Sequence, residues 1–234
     1  MTEMELYQSW RKNAVDDPDL QSELSAIEND AEAIQDRFYR DLAFGTGGLR
    51  GVIGAGTNRM NIYTVRKATQ GLANYVKEAF SEPSVAISYD SRIKSTDFAK
   101  AAAEVLAANG VKVHIYTELK PTPMLSFAVR ALHCSAGIMV TASHNPKEYN
   151  GMKLVRRDAR PVSSDTGLKE IGEMVATTKE FVHKVVAGKT MGALEHMDIM
   201  PAYIEHLLTY VDTSVLKPMK IVANPGNGGA GPVL

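Results

Sequence analysis

The sequence predicts an α/β protein. The expected architecture is a three-layer α/β/α sandwich around a mostly parallel mixed sheet, preceded by helices and followed by the truncated start of a second similar unit. Three observations carry this expectation. Short apolar runs alternate with amphipathic stretches from Val85 to Thr177. The residues before Asp41 have helical spacing and capping signals instead. After about residue 197 the rhythm restarts, and the sequence stops soon after one more strand. Strands that alternate with helices argue a mostly parallel sheet covered on both faces.

Each element has its own signal. Residues 4–39 read as helices, with Asp16-Asp17-Pro18 breaking the first and starting the second. Asn29-Asp30 offers a cap to the third, which carries Ala31, Ile34 and Phe38-Tyr39 at helical spacing. Residues 43–62 are glycine-rich and aperiodic, which inside a compact domain marks a functional or disordered loop. Thr64 to Phe80 is an amphipathic helix. Val85–Tyr89 is a strand, residues 95–109 a helix ending at Asn109-Gly110, and Val111–Tyr116 a strand. Pro121-Thr122-Pro123 opens a helix through Leu132, and Ser135–Val140 is a buried strand. Residues 150–156 return as a strand, and 164–177 as a helix. Pro201–Tyr210 is then a helix and Met219–Ala223 a strand. A sheet begun with one strand cannot bury itself, so residues 198–234 read as the truncated start of a second domain and 1–197 as the first.

Bulk properties narrow the function classes. The 234 residues carry 26 basic and 27 acidic side chains, with no run of five or six like charges, so neither nucleic acid nor a membrane surface is expected as partner. No apolar run approaches the length of a membrane span. The start Met1-Thr2-Glu3-Met4-Glu5 has no signal-peptide core, which makes the cytoplasm the expected compartment. Cys134 is the only cysteine, so no intrachain disulfide and no cysteine metal cluster form.

The chemistry concentrates in Thr141-Ala142-Ser143-His144-Asn145-Pro146, directly after a strand, with Lys153 ten residues beyond the serine. Strand ends are where α/β sheets place ligands. Ser143 needs a neighbour to remove its proton, or a group already attached to hand on. Adjacent His144 seldom has the geometry of a serine–histidine pair. The G-x-S-x-G elbow is also missing, which disfavours a serine hydrolase. Hydroxyls, an imidazole, an amide and turn N–H groups suit a phosphate on Ser143, although Ser-His-Asn-Pro is equally ordinary turn chemistry. Arg50, within Gly47-Gly48-Leu49-Arg50-Gly51, offers a planar fork for phosphate oxygens, with glycines that allow close backbone approach. Arg92, after Tyr89-Asp90-Ser91, stands at the same sheet edge as Ser143. Lys153 follows the turn pair Asn150-Gly151, which folds the chain back toward Ser143. A lysine serves as a base near neutral pH only where cations or desolvation loosen its proton. His114, His133, His183, His196 and His206 lack metal-ligand spacing.

Together these segments resemble the α-D-phosphohexomutases, the family of phosphoglucomutases and phosphomannomutases. Phe44–Gly51 is similar to that family's arginine loop, and Tyr89-Asp90-Ser91-Arg92 to its first strand-end motif. Pro121-Thr122-Pro123 is similar to its proline-threonine-proline segment, and Thr141–Pro146 with Asn150-Gly151-Met152-Lys153 to its phosphoserine loop. Met219–Gly231 resembles the opening of its second domain. The helical N-terminus and Asn58-Arg59-Met60-Asn61 are most similar to the bacterial phosphoglucomutase branch.

The resemblance implies an intramolecular phosphotransferase of the isomerase class, acting on a small phosphosugar. Ser143 would hold a phosphate, give it to a hexose phosphate to make a bound hexose 1,6-bisphosphate, and take back the other phosphate. Lys153 and Arg50 would serve proton transfer and charge stabilisation, and His144 would position substrate or move a proton. Thr46, Gly47, Arg92 and Asn145 would bind substrate or phosphate. Mg²⁺ would touch Ser143 through its phosphate. The sequence departs from the family's pattern: the Asp-x-Asp-x-Asp metal loop of the second domain, the sugar-recognition loop of the third and the phosphate-binding loop of the fourth are absent. The chain alone is therefore expected to have little or no mutase activity. The alternative is a stand-alone phosphosugar-binding or interaction module without turnover. An unpaired strand near Ile221 would also be an edge that invites domain swapping or homo-oligomers.

Overall fold

The structure is a computed structural model that describes every residue except 46, 180, 182–191, 227 and 234. Three short helices come first: α1 Glu3–Asn13, α2 Pro18–Ala26 and α3 Ala31–Phe38. Thr2, Asp17 and Asp30 cap them, each accepting from a free first-turn N–H. Pro18 sits in the first turn of α2, where a missing N–H costs nothing. These helices close on an aromatic cluster. Trp10 is fully buried, with ring centroids 5.8 Å from Phe38, 5.5 Å from Tyr63 and 5.7 Å from Phe181.

The glycine-rich stretch expected to be irregular contains two strands, β1 Phe44–Gly45 and β2 Gly48–Val52. Glycines hide the two-residue alternation, and the strands exist because a distant partner pairs with them. Then follow α4 Ile62–Ala79, β3 Ser84–Tyr89, α5 Ser95–Ala108, β4 Lys112–Tyr116, α6 Thr122–Ala131 and β5 Ala136–Val140. The chain continues through β6 Tyr149–Arg156, β7 Arg160–Pro161, α7 Leu168–Ala176, β8 Leu194–Met197 and α8 Met200–Leu208. The sheet order is β1-β2-β6-β5-β3-β4-β8, with β7 paired to β6. Strands β5, β3, β4 and β8 are parallel. β6 opposes β5, and β2 opposes β6, so β2 runs with the parallel four. The short strand β8 is a finding; its exposed Leu194-Glu195-His196 carries no apolar signal.

Alternation along the central strands sorts side chains into two cores. Val85, Ile87, Val113, Ile115, Ile138 and Val140 join the core beneath α4 and α5. Ala86, Tyr116 and Met139 face the other way, onto Met124, Leu125, Ala128 and Val129 of α6. This is the three-layer sandwich. α8 adds to the second core through Tyr203, whose ring lies 5.4 Å from Phe127.

The strand expected at Met219–Ala223 does not form. Ile221 and Val222 are 74% and 88% exposed, and no described strand pairs with them. A lone extended segment lacks the ladder partner that makes it a strand. Among the described residues no helix is long and apolar enough to cross a membrane.

Candidate active site at the serine turn

The turns after β3, β4 and β5 share one edge of the sheet, because those strands are parallel. The turn after β5 is closed by local bonds. Thr141 N–H donates to Gly151 O at 2.9 Å, extending the ladder with β6. Ser143 N–H donates to Thr141 Oγ1 at 2.9 Å, and Asn145 N–H to Ala142 O at 3.1 Å. Ser143 is exposed, with φ at 59°. That left-handed conformation costs a residue with a Cβ about 1–2 kcal/mol, so the surroundings must hold it.

In the structure Arg92 performs that task. Its guanidinium donates to the carbonyls of Ser143 at 2.9 Å, Asn145 at 2.6 Å, Pro146 at 2.8 Å and Tyr149 at 2.9 Å. Its Nε lies 3.6 Å from Asp90 Oδ2. With its terminal donors engaged on backbone, Arg92 clips the serine turn closed. Asp90 Oδ1 accepts from Arg92 N–H at 3.0 Å and from Ser95 Oγ at 2.8 Å. Buried Asn150 completes the frame, donating to Ser95 Oγ at 3.0 Å and Ile93 O at 2.9 Å while accepting from Gly151 N–H at 2.7 Å. Ser95 is a site-building residue that the sequence reading misses, and so are the framing bonds of Thr141 and Asn150. The pair Asn150-Gly151 signalled a turn, but nothing local marks its amide as buried.

Strands β2 and β6 supply the cations. In their ladder Arg50 stands opposite Gly151, and Gly48 opposite Lys153. Directly opposed residues share a face, so Arg50 and Lys153 lie on the same side of the sheet. Leu49 and Met152 take the other side and enter the core under α4. Among the described residues, neither the Arg50 guanidinium nor the Lys153 ammonium has a hydrogen bond or ion pair with another side chain. Gly151 lets the Arg50 stem approach: a Cβ there would lie 2.9 Å from Arg50 Cγ, 2.3 Å from Leu49 O and 3.0 Å from Thr141 O. The order Arg50, Gly151, Thr141 thus crosses three strands toward the serine turn.

His144 Nδ1 lies 3.4 Å from Ser143 Oγ, so the adjacent pair does meet, at the long end of hydrogen-bond range. No described residue hydrogen-bonds the other ring nitrogen. A triad needs that third group to orient the imidazole, so a hydrolase stays disfavoured. Asn145 gives its carbonyl to Arg92, while its side-chain Oδ1 is buried without a partner. Gly47 occupies the β1–β2 turn at φ 75°, where its carbonyl accepts from Leu154 N–H at 3.0 Å. Leu154 is level with Ile138, well before the end of β5. The structure therefore does not bring Gly47 to the serine turn. Thr46 lies outside the described residues.

A hard cation such as Mg²⁺ requires several oxygen ligands. Among the described residues no three His, Cys, Asp or Glu side chains converge as a metal site. The charged groups that β2 and β6 present on their shared face are cations. The donor set around Ser143 does not by itself fit the metal.

Comparisons with known proteins agree with this geometry. Residues 41–181 match the family model described as phosphoglucomutase/phosphomannomutase, alpha/beta/alpha domain I. A protein named phosphoglucomutase from Staphylococcus haemolyticus is 36% identical over 203 residues, covering 84% of this chain and 37% of the relative. Another of that name from Staphylococcus aureus is 43% identical over 145 residues, covering 59% of this chain and 26% of the relative. Among solved structures, a putative phosphomannomutase from Thermus thermophilus superimposes with a TM-score of 0.66 at 32% identity. The match covers 75% of this chain and 37% of that one. A phosphoglucomutase/phosphomannomutase family protein from Burkholderia thailandensis gives 0.57 at 26% identity, over 70% and 34% of the two chains. The chain spans less than two fifths of the length of these relatives. The matched region holds the whole ladder around Ser143, Arg50 and Lys153, and by it the chain belongs to the phosphoglucomutase/phosphomannomutase family, carrying that family's first α/β/α domain.

Proposed function

We propose that Ser143 is a phosphoryl carrier. In this reading the chain is the serine-bearing portion of an enzyme that interconverts hexose 1-phosphate and hexose 6-phosphate through a bound hexose 1,6-bisphosphate. The observation that carries the proposal is the strained, exposed serine just after β5, with two cations that have no side-chain partner among the described residues on one face of the adjoining β2–β6 ladder.

Phosphoryl transfer demands positioning and charge balance more than covalent assistance. A sugar hydroxyl oxygen attacks the phosphorus on Ser143, forming the new P–O bond as the bond to Oγ breaks. The hydroxyl proton passes to a base, and the departing Oγ takes up a proton. The second transfer reverses these steps with the other phosphate. Arg50 and Lys153 offset the negative charge of the moving group, with Lys153 also a proton carrier. His144, 3.4 Å from Oγ, is placed to assist the proton at the serine. Mg²⁺ would add electrostatic stabilisation of the phosphate when bound, through oxygens that the described residues do not assemble. Turnover is therefore assigned to a longer protein, and the chain alone to at most a single transfer.

Phosphorus NMR tests this. Incubating the chain with glucose 1,6-bisphosphate and Mg²⁺ is expected to release hexose monophosphate up to one equivalent per chain, and Ser143→Ala to release none. Equal release by Ser143→Ala would overturn the proposal. Saturable binding without release would favour the phosphosugar-binding module instead.

A further inference from the structure

The loop that follows Arg50 is held by the N-terminal helices, which precede the matched family region. Glu23 of α2 is the centre of the contact. Its Oε1 accepts from Arg37 Nη2 of α3 at 2.6 Å, and its Oε2 accepts from the backbone N–H of Ala55 at 2.8 Å. The loop passes so close that a Cβ on Gly54 would lie 2.8 Å and 3.0 Å from the two carboxylate oxygens. Asn58 N–H donates to Arg37 O at 3.0 Å, and Thr57 Oγ1 to Arg40 O at 2.7 Å. On its other side the loop reaches the active-site edge. Ile53 N–H donates to Glu148 O at 2.8 Å, in the segment that leaves the serine turn. Asn61 ties the loop to α4, donating to Gly54 O at 2.8 Å and Gly56 O at 3.0 Å while capping the helix.

We infer that α2 and α3 form a positioning clamp, in which Glu23 fixes the end of β2 and through it Arg50 and the exit of the serine turn. The carboxylate does so by joining one helix pair to one loop amide. Charge-assisted bonds of this kind are stronger than neutral ones, and the fit at Gly54 leaves the loop little room to shift. Glu23 touches no reacting atom; it is a positioning residue. This inference rests on the proposed role of Arg50 and Ser143.

The test compares Glu23→Ala with Tyr7→Phe. Tyr7 donates to Leu24 O at 2.9 Å, so its loss loosens the same helices without touching the loop. Two readouts are taken on the whole 234-residue chain. The first is the side-chain Nε–H NMR signal of Arg50, identified by its loss in Arg50→Lys. The second is the rate of phosphate uptake by Ser143 from glucose 1,6-bisphosphate. Glu23→Ala is expected to shift or broaden the Arg50 signal, speed amide exchange at Ala55 and slow uptake by about tenfold or more, the size of effect small misplacements produce. Tyr7→Phe is expected to lower the melting temperature while leaving the Arg50 signal and the uptake rate in place. An Arg50 signal unmoved by Glu23→Ala, or moved equally by both variants, overturns the clamp. If wild-type Ser143 takes up no phosphate, the proposed function fails, and the NMR signal alone still decides the inference.

Discussion

Replacing Arg92 with alanine removes four hydrogen bonds to the backbone of the serine turn. Bonds to a charged donor contribute about 1.5–3 kcal/mol each in isolation. They are not additive, and two of these carbonyls, those of Ser143 and Pro146, belong to exposed residues that water can reach, so we expect a net loss of about 3 kcal/mol. That exceeds the about 1–2 kcal/mol needed to keep Ser143 at positive φ. The turn should therefore relax, and Ser143 should leave its position. In a chain of this length such a loss lowers the melting temperature by roughly 6–12 °C. Displacement of the reacting oxygen by about 1 Å should slow phosphate uptake on the order of a hundredfold. Arg92→Lys should recover little of either, because a compact ammonium cannot span four carbonyls. The assays are thermal unfolding and timed mass spectrometry of Ser143 phosphate. An Arg92→Ala chain with unchanged melting temperature and unchanged uptake would refute the clip.

Two further perturbations follow from the same structure. Gly151→Ala would set a Cβ 2.3 Å from Leu49 O and 2.9 Å from Arg50 Cγ. Prying β2 from β6 should cost about 1–3 kcal/mol in a denaturant titration, and a variant as stable as wild type would contradict the close approach. Burial pushes the Cys134 thiol up to about 11. The folded value lies above the unfolded one, so the stability it contributes is full below the ordinary thiol range near about 8.5 and is lost as pH rises toward about 11. Thermal unfolding should show that decline, Cys134→Ala should flatten it, and an alkylating reagent at neutral pH should leave the native thiol unmodified.

Legibility followed the range of the interactions. Val85–Tyr89, Val111–Tyr116 and Ser135–Val140 announced themselves as apolar runs, because buried parallel strands see apolar neighbours on both faces. Asp17 and Asp30 were readable as caps, because a cap bonds within three residues. β2 was not readable, since its glycines leave no pattern and its ladder partner lies about a hundred residues on, at Tyr149–Lys153. Met219–Ala223 had strand composition but no partner among the described residues, and composition cannot supply one. The turn at Asn150-Gly151, which returns the chain beside β5 as β6, could be read from a local turn signal. The engagement of Arg92 could not, because the carbonyls it binds lie 51 to 57 positions away.

The most direct test of the central claim is peptide mapping of the chain after incubation with glucose 1,6-bisphosphate and Mg²⁺. A single phosphate on the peptide containing Ser143, absent in Ser143→Ala and slowed in Arg50→Ala and Lys153→Ala, is the predicted result. Phosphate placed on another residue, or uptake at Ser143 unaffected by both cation substitutions, would contradict the account.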